Sequence, residues 1–253
     1  MTGPRLDHLF PPLLPKEALQ GPVLVLAAHP DDEVISCGGM LAWHRSVGHR
    51  VVVAHATDGA RGDPGGRFDD VAALRRAEGR EALARLGVEE LQSLGFPDGE
   101  LPEHRAALSG RLRALMTAIA PRTVYSFWFA ESHRDHRALA FAMVDASDAL
   151  ARDCRCLLFG VNQVVSGATL FDVGAFESRK QHALSAFATQ LAYNDWREKI
   201  LHRDHSMTVN IEDPAIQYAE VFADLRPAEL APVRDLAHAL NVRLLERGGG
   251  AGP

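Results

Sequence analysis

The stretch of sequence that decides the fold spans residues 23–33 and reads VLVLAAHPDDE. Its apolar part, residues 23–28, lies between a Gly-Pro and a His-Pro pair. A short continuous apolar run with such boundaries predicts a strand that is buried on both faces, as in parallel sheets. An imidazole and three carboxylates follow this run, at His29, Asp31, Asp32 and Glu33. The chain therefore places groups that bind metals and protons where a buried strand ends.

Similar apolar runs alternate with helical spacings along the first half of the chain. The predicted strands span residues 51–57, 91–96 and 123–129, and the predicted helices span residues 38–47, 69–86 and 104–119. Alternation of this kind predicts right-handed βαβ units. We expect an α/β fold with a Rossmann-like, mostly parallel sheet and helices on both faces. The first strand is not followed by a G-x-G-x-x-G fingerprint, which counts against a dinucleotide-binding module.

The second half of the chain has a less regular pattern. Predicted strands span residues 156–163 and 169–173, and predicted helices span residues 176–187, 193–205 and 232–247. The sequence shows neither an internal repeat nor a low-complexity linker between the halves, so we predict a single domain over residues 23–247. A proline-punctuated lead-in at residues 1–22 and a flexible tail at residues 248–253 flank this domain.

Composition and charge exclude several classes of protein. A chain of 253 residues can bury a sizeable core without disulfides, and its three cysteines cannot all pair with one another, which favours a reducing compartment. The net charge of −6 argues against a nucleic-acid surface, since such surfaces must neutralise phosphates. The sequence contains neither a signal-peptide pattern nor a long apolar stretch, so we expect a cytoplasmic protein that binds neither nucleic acid nor membranes. It is compatible with a homo-oligomer.

Polar side chains follow all four of the first predicted strands. After the second, third and fourth strands come, in order, Asp58 and Arg61, then Asp98, then Glu131, His133, Asp135 and His136. Because the carboxyl ends of parallel strands share one edge of the sheet, we expect these groups to converge.

The converging groups suit a metal ion. Catalytic zinc typically has three protein ligands. HPDDE offers two of them, an imidazole and a carboxylate, and the HRDH segment at residues 133–136 can supply the third. Nitrogen and oxygen ligands without thiolate fit Zn²⁺, with Fe²⁺, Mn²⁺ and Co²⁺ left open. Taken alone, HPDDE is also compatible with a surface turn in which an aspartate caps a helix.

Several quoted segments together resemble a known family. The segment VLAAHPDDEVISCGG at residues 25–39, together with the later HRDH, resembles the PIG-L / LmbE-like family of zinc-dependent N-acetylglucosaminyl deacetylases. The resemblance continues in ATDGARGD at residues 56–63, RRAEGREALARLG at 75–87, LGFPDG at 94–99, KQHALSAFATQ at 180–190 and YAEVF at 218–222. It therefore covers residues 23–222, and AHPDDE is its most specific part.

The resemblance implies a role for each of five residues. It implies that His29, Asp32 and His136 bind zinc, that Asp31 is the general base, and that His133 is the electrophilic or acid partner. The family more often has proline where this chain has an arginine, directly after the first histidine of HRDH. Both histidines and the aspartate of this segment stay in register, so the implied ligands are unaffected.

Three further residues are candidates because of their position. Asp135 lies between the two histidines of HRDH and can orient a metal-binding histidine. Arg61, in the glycine-rich loop after the second strand, and Asp98, in the Pro-Asp-Gly turn after the third, are candidate substrate-binding residues. A solvated loop charge and an ordinary turn explain these two residues equally well.

These observations together predict a zinc-dependent hydrolase. It would remove an N-acetyl group from a glucosamine-type conjugate by means of metal-activated water, and its partner would be a small N-acylated amino-sugar conjugate. An amidase acting on larger amide or thiol conjugates would use the same chemistry. A non-catalytic metal-binding or sugar-binding domain is the alternative from another class, although binding alone requires neither Asp31 nor His133.

Overall fold

A computed structural model describes residues 12–163, 165 and 168–248 of the chain. The first eleven residues of the predicted lead-in and residues 249–253 of the predicted tail lie outside the described residues.

Seven strands form one sheet in the order β3-β2-β1-β4-β5-β7-β6. The strands are β1 (Val23–Ala27), β2 (Val51–His55), β3 (Glu90–Ser93), β4 (Thr123–Phe127), β5 (Arg155–Phe159), β6 (Thr169–Asp172) and β7 (Ala219–Leu225). Strands β1 to β5 pair in parallel, and β7 is antiparallel to both β5 and β6. The prediction of a mostly parallel α/β sheet is confirmed.

Within the part of the chain that the structure describes, eight α-helices accompany the sheet. They are α1 (Asp32–Ser46), α2 (Val71–Leu86), α3 (Arg105–Ile119), α4 (Arg134–Asp145), α5 (Glu177–Leu184), α6 (Ala188–Leu191), α7 (Trp196–Ser206) and α8 (Pro227–Gly248). Helices α1, α2 and α5 pack against one another, while α4 packs against α3 and α8. These are the two helical layers expected for a parallel sheet.

The central strands are buried because helices cover both of their faces. Every residue of β1, β2 and β4 is buried, which explains why these strands are continuous apolar runs rather than alternating ones. Helix α2 begins and ends as its sequence predicts. The side chain of Asp70 accepts a hydrogen bond from the amide of Ala73, and Gly87 ends the helix with a φ of 82°.

Three of the differences from the prediction concern elements at or near the candidate site. Helix α1 begins at Asp32 rather than at residue 38, because the acidic residues after Pro30 favour a helix N-terminus. Helix α4, which was not predicted, begins at Arg134, so most of HRDH lies in the first turn of a helix rather than in a loop. Strand β7 contains most of the YAEVF segment, which was quoted only as a landmark, and it joins β5 to β6.

The described residues also bear on the cysteines and on membrane spans. All three cysteines, Cys37, Cys154 and Cys156, are buried and free. Within residues 12–163, 165 and 168–248, none of the helices has both the length and the apolar character that a membrane span requires.

Candidate active site

The loops after β1, β3 and β4 meet at one cavity of about 460 Å³. Its walls include most of the residues singled out from the sequence. They are His29, Asp31, Asp32, Ile35, Arg61, Gly62, Arg75, Asp98, Gly99, His133, Arg134, His136, Val161, Asn162 and Gln190. The topology therefore brings together groups that lie about a hundred residues apart in the chain, as expected for the carboxyl edge of a parallel sheet.

Three side chains converge at the floor of this cavity with the spacing of metal ligands. His29 Nδ1 lies 3.3 Å from Asp32 Oδ2 and 3.4 Å from His136 Nε2, and His136 Nε2 lies 3.3 Å from Asp32 Oδ1. Ligands about 2.0–2.1 Å from a tetrahedral zinc ion are separated from one another by roughly 3.3–3.4 Å. The donor set and its spacing therefore fit a zinc ion. His133 is the third imidazole nearby, since its ligand atom and those of His29 and His136 lie within 4.8 Å of one another.

His29 is oriented by two carboxylates on the side away from the other ligands. Its Nε2 lies 3.0 Å from Asp98 Oδ1 and 3.5 Å from Asp135 Oδ2. These carboxylates also accept backbone hydrogen bonds, Asp98 from Arg61 and Asp135 from Gly99. Because an N–H at Nε2 fixes the tautomer, the other ring nitrogen, Nδ1, is left unprotonated for a metal. Asp135 and Asp98 thus both lie beside His29 Nε2. The role predicted for Asp135, that of orienting a metal-binding histidine, stays a prediction.

His136 is oriented in the same manner by Glu131, which was not among the predicted site residues. Glu131 Oε2 lies 2.9 Å from His136 Nδ1, and Oε1 accepts hydrogen bonds from the amides of Val161 and Asn162. This carboxylate is 1% exposed, and it links the loop after β4 to the loop after β5. The rule about polar residues at strand ends also applies to Glu131, but the sequence does not show that it faces a histidine.

The protonation of these groups in the metal-free chain reflects their mutual attraction. Burial opposes a charge on His136, but the Asp32 carboxylate outweighs burial and raises the pKa of His136 to about 9. Burial likewise opposes ionisation of Asp32, but His136 and His29 hold its pKa well below its usual range. A bound cation would replace the proton on His136 as the positive partner of Asp32, so the site favours a positive charge at this position.

Asp31 is adjacent to the ligand Asp32 but is held in a different environment. Its backbone has a φ of 139°, a conformation that residues other than glycine rarely adopt. Its Oδ2 accepts a hydrogen bond of 2.8 Å from the buried Arg75 guanidinium on α2. Among the described residues, no hydrogen bond occupies Oδ1, and the side chain lines the cavity. Burial raises the pKa of Asp31 to about 6, although Arg75 opposes the shift.

His133 stands at the mouth of the site as the N-cap residue of α4. Its Nδ1 accepts a hydrogen bond from the amide of Asp135, and its ring lies edge-on to that of His29, with the centroids 4.8 Å apart. Burial lowers the pKa of His133, and positive charges on His136 and His29 lower it further. A neutral ring that accepts at Nδ1 carries its proton at Nε2 and can donate that proton in a hydrogen bond.

The predicted substrate-binding residues lie beside one another in the cavity wall. Arg61 is exposed, and its guanidinium pairs with Glu100 at a distance of 2.6 Å. Asp98 accepts a hydrogen bond from the Arg61 amide and also contacts His29, so part of its hydrogen-bonding capacity is used within the protein. The assignment of both residues to substrate stays a prediction.

The chain is similar in sequence to known deacetylases. A model of the PIG-L family, described as GlcNAc-PI de-N-acetylase, matches residues 24–147. A Bacillus cereus protein named probable N-acetyl-alpha-D-glucosaminyl L-malate deacetylase 2 is 27% identical over 55% of this chain and 66% of its own length. The diacetylchitobiose deacetylase of Thermococcus kodakarensis is 34% identical over 49% of this chain and 48% of its own length. These matches thus span less than two thirds of either relative.

A solved structure shows the same fold over most of the chain. The N,N'-diacetylchitobiose deacetylase from Pyrococcus horikoshii superposes with a TM-score of 0.72, covering 81% of this chain and 84% of that one. Its sequence identity of 22% means that this comparison concerns the fold alone.

Proposed function

We propose that this chain, whose residues 24–147 align to the PIG-L family model, is a member of that family and a metal-dependent hydrolase that removes the N-acetyl group from an N-acetylglucosamine-type conjugate. The observation that carries this proposal is the cluster of His29, Asp32 and His136 with Asp31 and His133 at its edge. A site that only binds metal needs the first three residues. A hydrolase also needs a proton acceptor beside the metal, and the strained, buried Asp31 lies where such a group is required.

We propose Zn²⁺ as the metal, held by His29 Nδ1, an Asp32 oxygen and His136 Nε2. When bound at such a site, zinc lowers the pKa of water to about 7 and polarises a carbonyl oxygen. With three protein ligands, a zinc ion at this site would keep a fourth position for water or substrate, as catalytic zinc sites generally do.

In this proposal Asp31 is the general base. Its Oδ1 accepts a proton from the attacking water, while Arg75 holds Oδ2 and fixes the direction of the carboxylate. Without a metal, burial raises the pKa of Asp31 to about 6, and a neighbouring cation would lower it, so the carboxylate is ionised at neutral pH and able to accept a proton.

His133 and the wall residues complete the proposed reaction. The Nε2–H of His133 donates a hydrogen bond to the oxygen that gains negative charge when water attacks the amide. The departing amine takes its proton from Asp31, which holds the proton it accepted from water, or from His133 when that ring is in its imidazolium form. Arg61 and Asp98 bind hydroxyl groups of the sugar, and a cavity of about 460 Å³ has the size of a small-molecule site. The substrate is a small N-acylated amino-sugar conjugate, and a cytoplasmic location stays a prediction.

The proposal is tested by measuring the amine released from N-acetylglucosamine conjugates with fluorescamine. We expect the zinc-loaded protein to release amine and the metal-depleted protein to release none. Replacing Asp31→Asn should leave bound zinc unchanged and lower kcat by about 10²–10⁴-fold, the usual contribution of a positioned proton acceptor.

Asp58→Asn is a matched control, because Asp58 also pairs with an arginine of α2, Arg76, but is half-exposed. We expect this variant to keep both zinc and turnover. Undiminished turnover in Asp31→Asn would remove Asp31 as the base. Sugar binding without amine release by the zinc-loaded protein would favour the non-catalytic alternative instead.

A further inference from the structure

Helix α1, which begins at the metal-binding loop, is interrupted after its first turn. The backbone of Cys37 has a φ of −138° and a ψ of 20°, which are not helical values. The helix therefore consists of a short segment, residues 32–36, and a longer one, residues 38–46. The short segment starts with the ligand Asp32, and the strained Asp31 directly precedes it.

Side chains from distant elements take up the backbone groups that are free at this interruption. Both oxygens of Glu220, on β7, accept hydrogen bonds from the longer segment, from the Gly39 amide at 2.8 Å and the Met40 amide at 2.9 Å. The guanidinium of Arg203, on α7, donates a hydrogen bond of 2.6 Å to the Ile35 carbonyl at the end of the shorter segment. Thus a carboxylate caps one segment and a guanidinium caps the other, each with the charge that suits that helix end.

The charge of Glu220 is balanced by a fully buried lysine. Lys180 Nζ, on α5, lies 2.7 Å from Glu220 Oε1 and also contacts the carboxylate of Asp204. All three side chains are at most 2% exposed. Replacement of a buried ion pair by apolar residues is often neutral or stabilising, so such a group is weak evidence of a purely stabilising role.

The SCGG segment provides the space for these charged groups. A Cβ atom on Gly38 would lie 3.0 Å from Lys180 Cγ, and one on Gly39 would lie 2.7 Å from Val173 Cβ and 3.2 Å from Glu220 Oε1. A side chain at position 38 would press on Lys180, and one at position 39 would press on Val173 and on the Glu220 carboxylate. The absence of side chains at Gly38 and Gly39 therefore leaves the space that the buried Lys180 and Glu220 occupy.

We propose that Glu220, supported by Lys180, is a positioning residue that sets the direction of the first turn of α1 and thereby holds Asp31 and Asp32 in place for the metal. Glu220 is suited to this role by its location. In the antiparallel register of β5 and β7, Leu158 pairs with Ala223. Glu220 therefore lies beyond the last residue of β5, at the edge of the sheet where the cavity opens. This inference rests on the proposed metal-dependent function.

The test compares Glu220→Gln with Asp224→Asn in the full chain. The glutamine keeps the shape of the side chain but has one oxygen for two amides, whereas Asp224 is on the same strand and pairs with Arg155 and Arg226. We expect Glu220→Gln to weaken zinc binding, measured by competition with a chelator, by about 10–100-fold, a range typical of residues that orient metal ligands. We expect kcat to fall with little change in KM, and Asp224→Asn to retain both properties.

Hydrogen exchange of the metal-free protein provides a measurement that is independent of activity. In Glu220→Gln, peptides that cover residues 29–43 should exchange faster than in the wild type, whereas in Asp224→Asn they should not. A Glu220→Gln variant with wild-type zinc affinity and wild-type exchange in these peptides would overturn the proposal. So would equal losses of zinc affinity in the two variants, since these would reflect general destabilisation.

Arg203→Met serves as a second variant if Glu220→Gln does not fold. Arg203 is partly exposed, and its loss frees the Ile35 carbonyl without leaving Glu220 unpaired. It should weaken zinc binding in the same direction, and unchanged zinc affinity would count against the proposal. If the wild-type protein released no amine from any sugar, the proposed function would fail, while zinc affinity and exchange would still decide the role of Glu220.

Discussion

At the scale of single residues, carboxylates contact both proposed histidine ligands on the side away from the metal position. His29 contacts Asp98 and Asp135 through Nε2, and His136 contacts Glu131 through Nδ1. In both imidazoles one nitrogen thus faces a carboxylate while the other faces the proposed metal. Carboxylates in this position fix the tautomer and ring orientation and raise the basicity of the ligand.

Glu131→Gln is expected to weaken zinc binding by about 10–100-fold, because the amide group cannot replace a carboxylate as the partner of His136 Nδ1–H. The measurement is a zinc titration against a chromophoric chelator. Glu103→Gln is the control, because Glu103 is an exposed acid that pairs with Arg134, close to the same loop. Equal zinc affinity in both variants would show that Glu131 does not orient the ligand.

At the scale of elements, helix α1 is tied to the sheet at both of its ends. Its first turn carries Asp32, and near its last turn the buried His44 lies 2.9 Å from the hydroxyl of Tyr125 on β4. His44 Nδ1 also lies 2.8 Å from His49 Nδ1, so one of these two nitrogens must be unprotonated. Burial lowers the pKa of His44 to about 3, with a further contribution from His49.

This histidine should make stability depend on pH. The unfolded chain binds a proton at His44 below about pH 6.5, whereas the folded chain binds it only near pH 3. Between these two pH values protonation favours the unfolded chain. The free energy of unfolding is therefore highest above pH 6.5 and falls as pH falls from 6.5 toward 3. The loss is about 1.4 kcal/mol per pH unit. In the metal-free protein, His44→Gln should therefore reduce the loss of unfolding free energy between pH 7 and pH 5 by about 2 kcal/mol.

The measurement for His44 is urea unfolding at the two pH values. His202→Gln is the control, since His202 is exposed. If the unfolding free energy of His44→Gln depended on pH as it does in the wild type, His44 would not be the cause of that dependence.

At the scale of the whole molecule, metal binding should stabilise the fold, since the three ligands come from different parts of the chain. His29 and Asp32 follow β1, whereas His136 lies on α4 after β4. Free zinc at 100 times its dissociation constant would add about 2.7 kcal/mol of stability. For a chain of this size we therefore expect Tm to rise by about 5–11 °C.

Thermal unfolding with zinc and with a chelator measures this shift. His136→Ala should abolish most of it, and the exposed-site variant His202→Ala should preserve it. A wild-type protein with the same Tm in both conditions would contradict the assignment of these residues as a zinc site.

The sequence by itself determined the parallel sheet, the main helices of the first half and the convergence of HPDDE with HRDH. These features follow from local patterns, because apolar runs, caps and strand ends are recognised within a few residues of one another. The missed elements have weaker local signals. Helix α4 begins within a polar segment, and β7 pairs with two strands, β5 and β6, that precede it by many residues.

Only the tertiary structure decided which side chains contact and orient the site residues. Arg75 contacts Asp31 across 44 residues of sequence, and Glu220 contacts Gly39 across 181. The rule about strand ends applies to both Glu131 and His136, but only the tertiary structure shows that their side chains contact each other. The physical reason is that a buried charge is tolerated only where packing provides an opposite charge or a hydrogen-bond partner. Which residue provides it depends on how the helices and strands pack, and local sequence patterns do not contain that information.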